Sequence, residues 1–211
     1  MSVFVGGRSA AAQHSDAMHP LFMNLGGIKV VTPSSPMDAG GLLRASIRDP
    51  NPVVYLQAAG RGGELGEVPD EEFVIELGKA ARLRNGEDLT IVAIGAMVRP
   101  ALRSVDFQRK KGVSIELIDP RTLVPLDKEM IFKSVRKTGR LIIVDEARDI
   151  CSAASHISAI LSDKAFKYLK SPIKRVTVKD VAIPYSPILE SHVIPEVADI
   201  VNCIEELLEL N

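Results

Sequence analysis

Between residues 89 and 146 the chain alternates three apolar runs of strand length, at 90–94, 114–118 and 141–144, with two segments long enough to hold a helix. The pattern predicts β-α-β-α-β. The intervening stretches, residues 95–112 and 119–139, far exceed a hairpin turn and match the dozen or more residues, roughly, that a parallel crossover needs. Each crossover should be right-handed. In the first predicted helix Val98, Ala101, Leu102 and Val105 recur at helical spacing, Pro100 suits an opening turn, and Gly112 follows a basic Arg109-Lys110-Lys111 end. In the second, Asp127 is placed as an N-cap, Ile131 and Val135 mark the inward face, and Lys137 precedes Gly139. Strands this continuously apolar are buried on both faces, so helices should cover both sides of the sheet.

The flanks read less completely. A short run at 3–5 and apolar strands at 28–31 and 53–56 bracket a helix over 36–47, with Ala39, Leu42, Leu43 and Ile47 as its apolar face. Ordering each residue opposes folding by about 1 to 2 kcal/mol of backbone entropy, and so small a layer should need a partner surface. Residues 57–76, with glycines, acids and Pro69, read as a polar connection. Beyond 146 the pattern predicts a helix over 150–169, a strand at 174–178, an extended loop through the proline-spaced IPYSPILE, and an amphipathic helix over 196–210.

Composition narrows the class. With 211 residues and 46% hydrophobic content, the chain can build one large domain or two small ones. A net charge of -1, from 26 basic and 27 acidic residues, gives no reason to expect nucleic acid or an anionic membrane as partner. No apolar run approaches the roughly 20 residues of a membrane span, and the start of the chain lacks a secretory layout, so a cytoplasmic location is the expectation. Cys151 and Cys203 form neither a CxxC nor a zinc spacing and are expected as reduced thiols.

Three segments carry a resemblance: AAQHSD (11–16), GGIKVVTPSSPMDAGGLLRASIRDPNPVVYL (26–56) and IELIDPRTLVPLD (115–127). GEVPDEE (66–72), RLIIVDEA (140–147) and IPYSPILE (183–190) support it in the same order. Together they resemble the β subunit of thiamine-diphosphate-dependent 2-oxoacid dehydrogenases, the E1 components of the pyruvate, branched-chain 2-oxoacid and acetoin complexes. The resemblance implies an α/β fold in which residues 1–57 form the C-terminal part of a pyrimidine-binding domain. Residues 58–75 would link it to a three-layer, transketolase C-terminal-like domain with a mainly parallel sheet at 76–211. It implies a β-type subunit in oxidative decarboxylation of a 2-oxoacid and acyl transfer to lipoyl-E2. The partners would be an E1 α-type subunit and the E2 acyltransferase, within a homo- or hetero-oligomer.

The cofactor implied is thiamine diphosphate with Mg2+. In the family the glutamate that hydrogen-bonds the aminopyrimidine lies well before the AAQHS segment, and the diphosphate and magnesium belong to the α subunit. No GDG-type motif stands in for them, so the isolated chain is expected to be inactive. The resemblance gives His14 contact with substrate and a part in acyl transfer; the competing reading is a loop histidine in a polar stretch. It also places Ser46, Ile47, Asp49 and Asn51 at a turn whose carbonyls hold a structural K+ in several members. The competing reading there is an ordinary helix end in which Asp49 and Asn51 make local turn hydrogen bonds.

Other groups read as structural. Asp145 and Glu146 stand where open α/β sheets place ligands, yet the same acids can simply serve the strand end or the following helix. Asp119 and Arg121 are expected to pair as a scaffold device, and His19, His156 and His192 lack metal-ligand spacing. The chain departs from the family at Arg148-Asp149-Ile150-Cys151-Ser152, which replaces a glycine-rich turn, and at Gln57-Ala58-Ala59-Gly60-Arg61. Two alternative readings stand beside the E1 β-type subunit. One is a catalytically incomplete paralogue kept for assembly; the other is the C-terminal half of a transketolase-like enzyme, against which IRDPNPVVYL and GEVPDEE argue.

Overall fold

A computed structural model describes residues 2–3, 9–58 and 64–209. The first part of the chain forms β1 (Ser2–Val3), α1 (Ala11–Ser15), α2 (His19–Met23), β2 (Lys29–Val31), α3 (Pro36–Arg48), β3 (Val53–Tyr55) and β4 (Gln57–Ala58). Next come β5 (Ala81–Arg84), β6 (Leu89–Ala93), α4 (Val98–Arg109), β7 (Ile115–Asp119), β8 (Thr122–Val124), α5 (Lys128–Thr138) and β9 (Leu141–Arg148). The chain closes with α6 (Ala153–Ala165), β10 (Lys174–Val178), α7 (Pro187–Ser191) and α8 (Val197–Leu208).

The predicted unit is present as read. β6 lies between β7 and β9 and runs parallel to both, in a five-stranded sheet of order β10-β9-β6-β7-β5. β10 continues it in parallel and β5 pairs antiparallel at the other edge. Val98, Ala101 and Val105 of α4 join Ile200 and Ile204 of α8 in the core on one face. Ile131 and Val135 of α5 join Ile157 and Leu161 of α6 on the other, which gives the three-layer α/β architecture. The valine, leucine and isoleucine side chains among these contribute about 1.5 to 3 kcal/mol each when buried. The caps also match: Asp127 accepts from Met130 N–H at 3.1 Å, and Gly139 ends α5 in the left-handed region with φ 76°.

A second sheet joins the two parts of the chain. β2 pairs parallel with β3 and antiparallel with β8, so the small first layer is completed by a strand from downstream. The partner surface it needs is therefore in part this chain's own. Phe73 and Ile75, from the connection after β4, pack against the helix face bared at Gly41, and Ile75 N–H donates to the Gly41 carbonyl at 3.2 Å.

Several predictions need correction. Leu42 is buried, but Leu43 and Ile47 of the expected α3 face are exposed, because β2 and the Phe73 segment cover only one side of the helix. IPYSPILE is not wholly extended: its end winds into α7 once Pro187 presets a helical φ. α6 begins three residues later than expected, capped by Ser152, and β9 runs on to Arg148. Of the predicted strand at 3–5, residues 4 and 5 lie outside the described residues. Among the described residues no helix is long and apolar enough to cross a membrane. Both cysteines are free, and burial pushes the Cys203 thiol up to about 11.

Candidate active-site edge

The segment that carries His14 is short of intrinsic stability. α1 has five residues, no side-chain N-cap and two left-handed non-glycine residues at its start, Ser9 (φ 52°) and Ala11 (φ 57°). An isolated helix of this length does not hold its shape in water. Contacts from the large sheet supply what the sequence lacks. Ser9 N–H donates to Glu190 Oε2 of α7 at 2.9 Å, and Glu190 is only 3% exposed. Asp16, just past α1, pairs with Arg148 at 2.9 Å, while Arg148 Nε also donates to the Val181 carbonyl at 3.0 Å. Between these ties His14 lies exposed on α1.

A third tie is buried. His19 Nε2 stands 2.9 Å from Asp145 Oδ1, with side chains 1% and 0% exposed. Asp145 also accepts from Ala147 N–H at 3.0 Å and from Ala154 N–H, in the first turn of α6, at 3.1 Å. Burial opposes charge on His19, yet the facing carboxylate outweighs it and raises the histidine above its ordinary value. Burial would raise Asp145 as well, but the charge and hydrogen bond of His19 and the two N–H donors hold it below the usual carboxylate range. Each side chain thus favours the charged form of the other.

Its position has a topological cause. The sheet order reverses between β6 and β9, and open α/β sheets leave a crevice beyond the strand ends at such a point. Here the first layer fills it, with His19 seated on Asp145. Beside it Gly95 has φ 54°, and a Cβ there would come within 3.1 Å of Glu146 Oε1, so glycine suits the tight turn leaving β6. Asp145 serves structure despite its strand-end position, and what it holds is the segment next to His14.

The second candidate group sits at the end of α3. Ser46 Oγ donates back to the Leu42 carbonyl at 2.7 Å, Ile47 is exposed, and Asp49 accepts from Asn51 N–H at 2.9 Å and Asn51 Nδ2 at 3.0 Å. Lys29 Nζ also bonds Asp49, and that hydrogen bond, with those from Asn51, lowers its carboxyl to about 2. The Ser46 hydroxyl and the Asp49 carboxylate are committed locally, and a cation at this turn would rest chiefly on main-chain carbonyls.

Asp119 and Arg121 do not pair through their side chains as expected. Arg121 N–H donates to Asp119 Oδ1 at 2.8 Å, whereas its guanidinium Nε pairs with Asp38 Oδ1 at 2.7 Å. The region that replaces the family's glycine-rich turn is closed by polar contacts: Asp149 accepts from Arg175 at 2.7 and 3.1 Å, and Cys151 takes the left-handed conformation, φ 57°. His156 and His192 are exposed, while His19 is fully buried. Glu190, Arg148 and His19 were not foreseen as supports. The one signal for Glu190 was a carboxylate closing an otherwise apolar motif.

Comparison with known proteins agrees with this architecture. The family described as transketolase, C-terminal domain, matches residues 78–200. The β subunit of acetoin:2,6-dichlorophenolindophenol oxidoreductase from Bacillus subtilis (strain 168) is 43% identical over 98% of this chain and 60% of its own length. Pyruvate dehydrogenase E1 component subunit beta from the same organism is 42% identical over 99% of this chain and 64% of its own. The 2-oxoisovalerate dehydrogenase subunit beta is 37% identical over 97% and 63%. The chain therefore spans somewhat under two thirds of these relatives. A solved structure described as a split gene transketolase, inactive beta4 tetramer, superposes with a TM-score of 0.83 at 24% identity, covering 99% of this chain and 66% of that one. With more than half of its length matched, and with β subunits of 2-oxoacid dehydrogenase E1 components among its relatives, the chain belongs to the transketolase C-terminal domain family.

Proposed function

We propose that the chain serves as the β-type half of a thiamine-diphosphate-dependent 2-oxoacid dehydrogenase E1 component, and that it presents His14 at the edge of an active site completed by an α-type subunit. The observation that carries this reading is the docking of the His14 segment on the large sheet through Glu190, Arg148 and the His19–Asp145 pair. A five-residue helix fixed from three sides is an arrangement for holding an exposed side chain in place.

Among the described residues no three His, Cys, Asp or Glu side chains converge as a metal's donors would, so these residues do not fit magnesium. We assign Mg2+ and the diphosphate to the α-type subunit. The chain's own contribution is then to place His14 and to offer the assembly surface that an E2 acyltransferase and further subunits would use. A structural K+ on the carbonyls around Ser46, Ile47, Asp49 and Asn51 belongs to the same proposal; a melting temperature higher in potassium than in sodium chloride is the expected sign.

Calorimetry with thiamine diphosphate and magnesium tests the reading, on the chain alone and mixed with an E1 α-type subunit. Binding in the mixture only is expected. A folded chain that binds in neither sample would favour the catalytically incomplete assembly subunit instead.

A further inference from the structure

Two buried carboxylates meet where the first layer touches the main sheet. Asp38, in the first turn of α3, is 3% exposed, and Asp119, at the end of β7, is 0% exposed. Ser34 Oγ lies between them, 3.2 Å from Asp38 Oδ2 and hydrogen-bonded to Asp119 Oδ2. Asp38 Oδ2 also accepts from Ser35 Oγ at 2.6 Å, and its other oxygen faces Arg121 Nε at 2.7 Å. Among the described residues, Asp119 Oδ1 accepts the Arg121 main-chain N–H, at 2.8 Å.

The hydrogen count leaves a gap. A hydroxyl has one proton, so Ser34 can donate to one carboxylate, while an ionised carboxylate has none to give in return. Both contacts are satisfied when one acid is protonated and donates to Ser34, which then donates to the other. The charge count leads to the same place, since two buried carboxylates face one guanidinium. Asp38 has Arg121 and Ser35 to stabilise its charge, so Asp119 is the natural holder of the proton.

We propose that Asp119, Ser34 and Asp38 form a proton-sharing latch between the β2–α3 layer and the main sheet, closed while Asp119 carries the proton and weakened when it is lost. The chain of bonds runs from the Asp119 O–H to Ser34, from the Ser34 O–H to Asp38, and from Asp38 to the Arg121 cation. Burial, with the Asp38 charge adding to it, pushes Asp119 up to about 7. The other ionisable group facing Asp38 is the Tyr55 phenol of β3, which burial and the Asp38 charge push up to about 12, so it stays neutral. β5 brings Ala81 opposite Asp119 and adds no charge. An acid whose folded value is raised contributes stability that is fully present below its ordinary 3.8 and is lost as the pH rises from there through the folded value. The latch therefore holds at pH 5 and slackens above about 7.

Asp119→Asn supplies a neutral side chain that can donate to Ser34 and accept from Arg121 at every pH. The excess of its melting temperature over that of the parent chain should grow by at least roughly 3 °C between pH 5 and pH 8. A difference that does not grow with pH overturns the latch. Where the variant does not fold, the carbon-13 shift of the Asp119 carboxyl in the parent chain decides. Titration between about pH 6 and 8 supports the latch, and an ionised carboxyl at pH 5 excludes it. Neither readout depends on catalysis, so failure here leaves the proposed E1 role untouched.

Discussion

Asp145→Ala should destabilise the chain by about 3 to 5 kcal/mol, because removing one partner of a buried pair leaves the other charge uncompensated. His19 would remain enclosed with Glu146 but without its facing carboxylate, and Ala147 and Ala154 would lose their N–H acceptor. In a chain of this size the melting temperature should fall by roughly 6 to 20 °C. The effect should also depend on pH in both directions. His19 is raised, so the pair's contribution is present below about 6.5 and lost as pH rises through the folded histidine value. Asp145 is lowered, so the contribution is present above its ordinary 3.8 and lost as pH falls through the folded value. Melts of parent and variant should differ most between the ordinary values of the two groups, 3.8 and 6.5, and by less as the pH rises through the folded histidine value. Equal destabilisation at both ends would mean that Asp145 acts through its N–H acceptors alone.

Gly86→Ala should be at least as damaging, for a steric reason. A Cβ at Gly86 would stand 2.1 Å from the Ile115 carbonyl carbon and 2.2 Å from Glu116 N. Both are backbone atoms at the start of β7, and they cannot move aside as a flexible side chain would. The turn between β5 and β6 would have to lift away from β7. Because β5 is an edge strand paired only to β7, it should detach first, with a loss on the order of 4 kcal/mol. Hydrogen exchange checks this: the amides of Ala81–Arg84 that bond β7 should lose protection while those of β9 keep theirs. Full protection of β5 in the variant would show that the backbone relaxes more than this geometry allows.

The central sheet was legible because its strands are apolar on both faces and its helices carry caps and a clear period. Asp127, Gly139, Ile131 and Val135 sit where their pattern placed them. What escaped reading lacked such marks. β5 is Ala-Arg-Leu-Arg, an edge strand whose arginines pair with Glu116 and Asp106 and whose outer side needs no apolar row. β8 spans three residues inside what reads as a loop, and it becomes a strand only because β2 lies alongside. α1 and α2 are too short to show periodicity. The exposed Leu43 and Ile47 mislead for the opposite reason: they are apolar positions that no element among the described residues covers.

The candidate site was legible only in part. His14 and the Ser46–Asn51 turn were found through motif resemblance. The supports of His14 were hidden, since Glu190, Arg148 and Asp145 are brought to it by tertiary folding from distant parts of the sequence. Asp145 looked like a strand-end acid, and nothing local reveals that His19 is its partner. The buried acid pair of Asp38 and Asp119 was equally invisible, because Arg121 appeared to belong to its near neighbour and instead reaches across to α3.

Thiamine-dependent decarboxylation of pyruvate and of branched-chain 2-oxoacids, by the chain mixed with an E1 α-type subunit, tests the central claim most directly. The mixture should turn over at least one of these substrates, neither component should do so alone, and His14→Ala should reduce the rate by about 100-fold or more, as loss of a proton-transfer group does. A mixture that forms a stable complex and binds thiamine diphosphate, yet turns over at the same rate with His14→Ala, would contradict the claim.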